Sequence, residues 1–162
     1  MSETFTRESL RHGVATLAYR CGKAVRGAPP GVASFKAGPT TRTPLEVLQH
    51  IGDLLVWALM MARGESGWKQ SPVRPWEEEV ERFFATLRAF DDYLASDAPL
   101  HTSADKLFQG PIADALQHTG QINLLRRLAG SAVRGENYRR ADIAIGRVGP
   151  DQVPPDPSAE FD

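Results

Sequence analysis

The apolar residues of this chain return at helical spacing along four stretches. In residues 6–26, 43–63, 76–95 and 109–130 they recur every three to four positions, the period of an α-helix. No stretch shows a convincing strand-like alternation of apolar and polar residues. Four helices joined by two longer connections predict an all-α fold, an antiparallel four-helix bundle.

The second predicted helix has the clearest start signal and the most apolar surface. Thr43 is placed as the N-cap, Pro44 takes the first helical position, and Glu46 can close a capping box with Thr43. Beyond this start only a narrow polar strip interrupts the apolar residues, which predicts a central helix that touches more than one neighbour. His50 lies at the edge of the apolar arc and is predicted to point inward.

The fourth predicted helix has an apolar stripe that includes two ionisable residues. The stripe is formed by Ala115, Ile122, Leu124, Leu125 and Leu128, and the opposite face by Ile112, Thr119, Asn123, Arg126 and Arg127. Asp114 and His118 fall in the middle of this stripe, one turn apart, so their side chains lie one above the other. An unpaired buried charge costs several kcal/mol to order of magnitude, and a metal ion is one way to avoid that cost.

The remainder of the chain predicts one domain with an extended tail. Residues 27–42 and 96–108 are expected to be connections, because turn-forming residues or a lack of helical period mark them. After the last helix we expect an ordered tail packed on the bundle up to about Val148. The Pro-rich residues 151–162 are predicted to be disordered, so residues 1–150 are taken as the single domain.

Composition narrows the class of protein. The 162 residues include 19 basic and 20 acidic side chains, so no broad positive surface for nucleic acid or an anionic membrane is expected. The N-terminus lacks the apolar segment of a secretory signal, and a cytoplasmic location is expected. Cys21 is the single cysteine and is predicted to be buried. His12 and Tyr19, opposite the apolar stripe of the first helix, are expected at partly exposed or interface positions.

Three residues on two helices form a candidate metal site. Asp114 and His118 supply a pair one turn apart, and His50 supplies a third side chain from the apolar second helix. Two histidines and one carboxylate with open positions suit a mononuclear divalent metal site. Spacing alone also allows the simpler reading, in which Asp114 and His118 form a buried hydrogen-bonded pair and His50 is a core histidine.

Two segments resemble a known family. TPLEVLQHIGDLLVWAL resembles the second helix of the DinB-like (YfiT-like, damage-inducible) four-helix-bundle superfamily, and ALQHTGQINLLRRLAG resembles its fourth. The resemblance extends over about residues 5–150 and implies that His50 and His118 bind a divalent metal. In place of a middle histidine this chain has Asp114, which keeps a ligand oxygen but makes the site harder and more negative. The implied metal is zinc or nickel, with iron or manganese as alternatives.

The resemblance also implies two classes of function. One is a metal-dependent transferase that uses a low-molecular-weight thiol and an electrophilic substrate, with an apolar pocket lined by Trp57, Met61 and Leu125. The other is a non-catalytic metal-binding or stress-associated bundle. In both cases a homodimer is the expected assembly, and neither a nucleic acid nor a membrane is expected as a partner.

Residues beside the ligands are candidates for supporting roles. Gln121 is expected to hydrogen-bond a metal-bound water or an axial ligand, and Gln117 or Asp53 to orient an imidazole. The alternative for each is a plain polar boundary position.

Overall fold

The computed structural model describes residues 3–162, with side chains described from residue 7 onward. The helices are α1 (Glu3–Val25), α2 (Pro44–Ala62), α3 (Trp76–Ala95), α4 (Ala104–Leu107) and α5 (Ala113–Leu128). A π-helical segment, Phe108–Ile112, joins α4 to α5, and short 3₁₀ turns span Tyr138–Arg140 and Pro157–Ala159. Two two-residue strands, β1 (Gly135–Glu136) and β2 (Glu160–Phe161), pair antiparallel. The all-α class is therefore confirmed, although a small strand pair was not expected.

The four long helices share one apolar core. Helices α1 and α2 each pack on both α3 and α5. The largest fully buried apolar side chains come from all four helices and include Leu17, Leu48, Leu55, Phe83, Phe90 and Ile122. Cys21 lies in this core, as predicted, and burial raises the pKa of its thiol to about 12.

Helix α2 begins as its sequence predicts. The Thr43 hydroxyl accepts a hydrogen bond from the Glu46 N–H at 3.2 Å, and the Glu46 carboxylate accepts one from the Thr43 N–H at 2.7 Å. This capping box is confirmed, and it sets the register in which His50 faces α5. By length and composition α2 could cross a membrane, but 61% of the apolar window is buried within the protein. Core helices of soluble proteins pass the same test, so its apolar character does not indicate a membrane span.

The last helical stretch starts earlier than predicted and contains a wide turn. Helix was expected from residue 109, whereas helical structure runs from Ala104 and becomes π-helical at Phe108–Ile112. Pro111 lies inside this segment and has no N–H to donate to the preceding turn. A wider turn tolerates that missing donor and offsets the residues before it from those after it.

The buried face of α5 differs from the predicted stripe. Leu124 and Leu128 are each 57% exposed, whereas Thr119 and Arg126 are buried. Arg126 is buried because its guanidinium donates to the carbonyls of Ala24 and Arg26 at the end of α1, both at 2.8 Å. The true core face therefore includes Ile112, Ala115, Thr119, Ile122 and Arg126. Asp114 and His118 lie at the edge of this face, not in its middle.

The C-terminal segment is ordered where disorder was predicted. Glu160 pairs with Glu136 through the β1–β2 ladder, and its carboxylate lies 2.8 Å from the Lys23 ammonium on α1. Composition predicted disorder because residues 151–162 contain three prolines and few apolar side chains. Backbone pairing and an ion pair to a distant helix hold this end instead. The same region buries Tyr19, which was expected to be partly exposed, and its hydroxyl donates to Glu136 at 2.7 Å.

Candidate metal centre

His50, Asp114 and His118 meet where α2 packs on α5. One potential ligand atom from each residue lies within 4.8 Å of the other two. His118 Nε2 is 3.3 Å from Asp114 Oδ1, and His50 Nε2 is 3.9 Å from Asp114 Oδ2. Ligand bonds of roughly 2.0–2.2 Å to one ion require donor separations of about 3–4 Å. The described side chains could therefore hold a metal ion with small adjustments.

The two helices supply these side chains in the way that the sequence predicts. Asp114 and His118 are one turn apart on α5, and α2 brings His50 across from them. The imidazole rings of His50 and His118 are perpendicular, with centroids 4.7 Å apart. Perpendicular rings at this distance direct their nitrogens toward a shared point more readily than stacked rings do.

A hydrogen bond orients the His118 ring. Its Nδ1 lies 2.8 Å from Gln121 Oε1. An amide oxygen only accepts, so this pairing places a proton on Nδ1 and turns Nε2 away from Gln121. Nε2 lies 3.3 Å from the Asp114 carboxylate. A positive charge between these two atoms, either a proton on Nε2 or a metal ion that both atoms bind, makes this contact favourable.

His50 is held in the form that binds metals. Burial lowers the pKa of His50, and the nearby His118 and Arg42 lower it further, whereas Asp114 and Asp53 act in the opposite direction. The lowered pKa keeps the imidazole neutral at pH 7, with a lone pair available for a cation. Its ring also lies 5.6 Å from that of Trp68 in the loop between α2 and α3.

Asp114 is more accessible than the predicted stripe implies. Its side chain is 41% exposed, compared with 12% for His118 and 23% for His50. Asp114 therefore does not carry the full free-energy cost of an isolated buried carboxylate. The prediction that it lies in the middle of the buried stripe was wrong. The exposure leaves one side of the cluster open to further ligands, and two imidazoles with one carboxylate are suitable donors for a divalent ion.

Asp53 belongs to a separate buried network behind the cluster. Its carboxylate pairs with the Arg82 guanidinium and accepts from the Gln49 amide at 2.9 Å. Arg82 also contacts the fully buried Glu79, which Arg74 approaches from the other side. Asp53 therefore satisfies Arg82 and is not the residue that orients an imidazole. Among the supporting candidates from sequence, Gln121 makes the contact to His118, whereas Gln117 is exposed on α5.

Two cavities adjoin the cluster. The larger, about 460 Å³, is lined by His50, His118, Gln121, Leu125 and the exposed Leu124, together with Arg42. The smaller, about 310 Å³, includes Arg42, His50 and Trp68 in its lining. Arg42 and His50 thus line both. A volume of several hundred Å³ is typical of small-molecule sites.

Sequence reasoning missed Arg42 and Trp68 and was partly wrong about the pocket. Leu125 lines the larger cavity as predicted, while Trp57 packs edge-on to Trp68 at 5.9 Å and Met61 lines neither cavity. Arg42 and Trp68 lie in connections without a helical period, so no face could be assigned to them. The capping box predicts where the chain enters α2. The basic residue directly before this N-cap is the sequence signal by which Arg42 could have been found.

Comparison with known proteins does not identify the chain. No protein-family model matches the sequence, and no curated protein or solved structure matches it either. The functional inference therefore depends on the site and on the resemblance of the two helical segments.

Proposed function

We propose that this protein is a divalent-metal-binding member of the DinB-like superfamily with an antiparallel four-helix-bundle topology, and that it is a metal-dependent enzyme of the thiol-dependent transferase type. The packing of α1 and α2 on both α3 and α5 supports the bundle. The match of His50 and His118 to two ligand positions of that superfamily supports the family. Both parts of the proposal rest on residues quoted from this sequence.

One observation carries the metal-binding part. The Nδ1 contact with Gln121 turns His118 Nε2 toward Asp114 at 3.3 Å, while the neutral His50 approaches the same carboxylate from α2. A divalent ion makes this arrangement favourable, because three donors share one positive charge centre. The donor set of two nitrogens and one oxygen favours zinc or nickel, and iron or manganese also accept such ligands.

The surroundings support catalysis over a closed structural site. A divalent ion at this position would lower the pKa of a thiol or water that binds to it and so supply a nucleophile near neutral pH. The chain itself leaves Asp114 41% exposed and places a cavity of about 460 Å³ against both histidines. A structural site would close the fourth position with a protein ligand. Both histidines line this cavity, whose apolar and polar walls can position a thiol and an electrophile.

Metal stoichiometry tests the ligand set. Purified wild-type protein dialysed against zinc or nickel should retain one ion per chain, measured by elemental analysis. His50→Ala, Asp114→Ala and His118→Ala should each lose most of this metal, while His12→Ala, an exposed histidine on α1, should retain it. Wild-type stoichiometry in all three ligand variants would show that the residues form a hydrogen-bonded cluster without a metal role.

Activity requires a separate measurement. The metal-loaded protein should accelerate conjugation of a low-molecular-weight thiol with members of a panel of electrophiles, and His118→Ala should abolish that acceleration. If the wild type binds metal stoichiometrically but conjugates no thiol across the panel, the non-catalytic metal-binding function replaces the enzymatic one.

A further inference from the structure

Arg42 has an unusual position beside the candidate metal centre. It lies directly before the Thr43 N-cap and lines both cavities that adjoin His50. Within the described part of the chain its guanidinium forms no hydrogen bond or ion pair, and among the arginines of that part only Arg42 lines these two cavities. An arginine without a protein partner at a cavity wall offers its donors to a ligand.

The acidic side chain of Glu46, at the same helix start, is already engaged. Glu46 lines the smaller cavity, but its carboxylate accepts the Thr43 N–H at 2.7 Å as part of the capping box. That hydrogen bond is the main reason why the pKa of Glu46 is lowered, and Arg42 contributes less to it. Glu46 is therefore held against the helix start by the capping box, and Arg42 lines both cavities without a hydrogen-bonded partner among the described residues.

The charge of the site favours an anionic ligand once a metal is bound. Asp114 cancels one of the two charges of a divalent ion, so the centre stays positive, and Arg42 adds a further positive charge. Besides the histidines, Arg42 is the one basic side chain in the described lining of the two cavities. A single guanidinium is matched by a singly charged carboxylate, which it binds with two parallel hydrogen bonds.

The larger cavity also has an apolar wall. Leu124 is 57% exposed there and lies beside the buried Leu125, so an apolar group bound to them would leave water. Gln121 uses its amide oxygen on His118, which leaves its NH₂ group to face polar atoms of a ligand. Metal ligands, apolar wall and guanidinium therefore border one space.

We propose that Arg42 anchors the carboxylate of a small-molecule ligand whose apolar body lies on Leu124 and Leu125 and whose thiol reaches the His50–Asp114–His118 cluster. This inference rests on the proposed metal-dependent function and names the substrate class for the same site: thiols that carry a carboxylate at the far end of an apolar chain. Arg42 is a binding residue here and has no role as a metal ligand.

Matched probes test the assignment on zinc-loaded protein. Calorimetry compares three thiols that carry a carboxylate, namely mercaptopropionate, mercaptohexanoate and mercaptoundecanoate, with thiols of the same chain lengths that carry a hydroxyl group in its place. The pH is mildly alkaline, where His50 is neutral. At the best-fitting length, the wild type should bind the acid about tenfold or more tighter than the alcohol, because a charge-assisted hydrogen bond is lost in the alcohol. Arg42→Gln should bind acid and alcohol alike and keep the wild-type affinity for the alcohol.

Arg127→Gln is the matched control. Arg127 is exposed on α5, lies outside the lining of both cavities, and its substitution changes the net charge equally. This variant should retain the wild-type preference for the acid, and circular dichroism should show that both variants are folded.

The outcomes separate the two proposals. If zinc binds stoichiometrically but the wild type does not prefer any acid over its alcohol, or if Arg42→Gln keeps the preference, the Arg42 assignment is overturned while the metal site stands. If the wild type takes up no zinc, the proposed function fails, and the ligand assignment fails with it.

Discussion

Two of the clusters of ionisable side chains among the described residues are built in opposite ways. Around Lys23, the ammonium contacts Glu136 and Glu160 at 2.8 Å each, and Tyr19 donates to Glu136 at 2.7 Å. The side chains of Lys23 and Glu136 are only 9% and 1% exposed. Burial opposes the charge on Lys23, but the hydrogen bonds to both glutamates outweigh it and raise the pKa of the ammonium. Every charge has its partner within the chain.

The His50–Asp114–His118 cluster is open by contrast. Its carboxylate, that of Asp114, is 41% exposed. The carboxylate oxygens lie 3.3 Å from His118 Nε2 and 3.9 Å from His50 Nε2, and none of the described side chains places a permanent cation among these atoms. A closed cluster holds two segments together, whereas an open cluster of donors has capacity left for a ligand. Whether each charged group already has a partner within the chain, more than the presence of ionisable residues, therefore distinguishes a structural cluster from a candidate binding site.

Among the substitutions considered, one that breaks the closed cluster of Lys23 with Glu136 and Glu160 should lower the free energy of unfolding most. Lys23→Met should lower the free energy of unfolding by about 3–5 kcal/mol, because Glu136 stays buried without its cation. Chemical denaturation followed by circular dichroism measures the loss, and Lys36→Met, at an exposed position, is the control. A loss equal to that of the control would mean that the Lys23 cluster does not hold the C-terminal segment.

Metal should stabilise the protein through the open cluster alone. At a free zinc concentration one hundred times the dissociation constant, the wild type should gain about 2.7 kcal/mol in unfolding free energy by mass action. His118→Ala should gain nothing under the same conditions, since it lacks a ligand. Lys23→Met should gain as much as the wild type, and a smaller gain would indicate that the two clusters are coupled.

A smaller effect is expected at the helix start that positions both Arg42 and His50. Thr43→Ala removes the side-chain half of the capping box and should cost about 1 kcal/mol. Thermal unfolding measures this change, with Thr40→Ala as a control at an exposed position before the cap. Equal stability of Thr43→Ala and the wild type would mean that the cap does not determine where α2 begins.

The smallest effect should follow removal of the charge from the open cluster. Asp114→Asn without metal should change the free energy of unfolding by less than about 0.5 kcal/mol, because the side chain is accessible to water. Chemical denaturation of metal-free protein gives the value. A cost of several kcal/mol would show that Asp114 is part of a closed, structural cluster like that of Lys23.

Local signals predicted the parts of the fold that depend on neighbouring residues. The bounds of α2 and α3 agree with the periodic stretches to within a residue or so, and the Thr43–Glu46 capping box is present as predicted. The pairing of Asp114 with His118 also follows from spacing alone, because residues one turn apart on a helix are neighbours. His50 required one further assumption, that α2 packs beside α5.

Predictions were wrong where distant contacts compete with periodicity. Arg126 is buried although a periodic pattern places an arginine in solvent, because carbonyls at the end of α1 accept its hydrogen bonds. Leu124 is exposed because the packing of α5 turns that position toward the cavity. The π-helical turn at Pro111 adds an offset that a constant angle per residue does not include.

Helical period, capping and one-turn spacing were enough to predict the all-α class, the start of α2 and the pairing of Asp114 with His118. Packing between distant segments sets the rest: that His50 meets this pair, that Asp114 is accessible, that Gln121 orients His118, that Arg42 and Trp68 border the site, and that the C-terminal segment is tied to Lys23. The physical reason is that exposure and partner choice depend on which surfaces pack together, and residues far apart in the chain carry no local pattern that reports this.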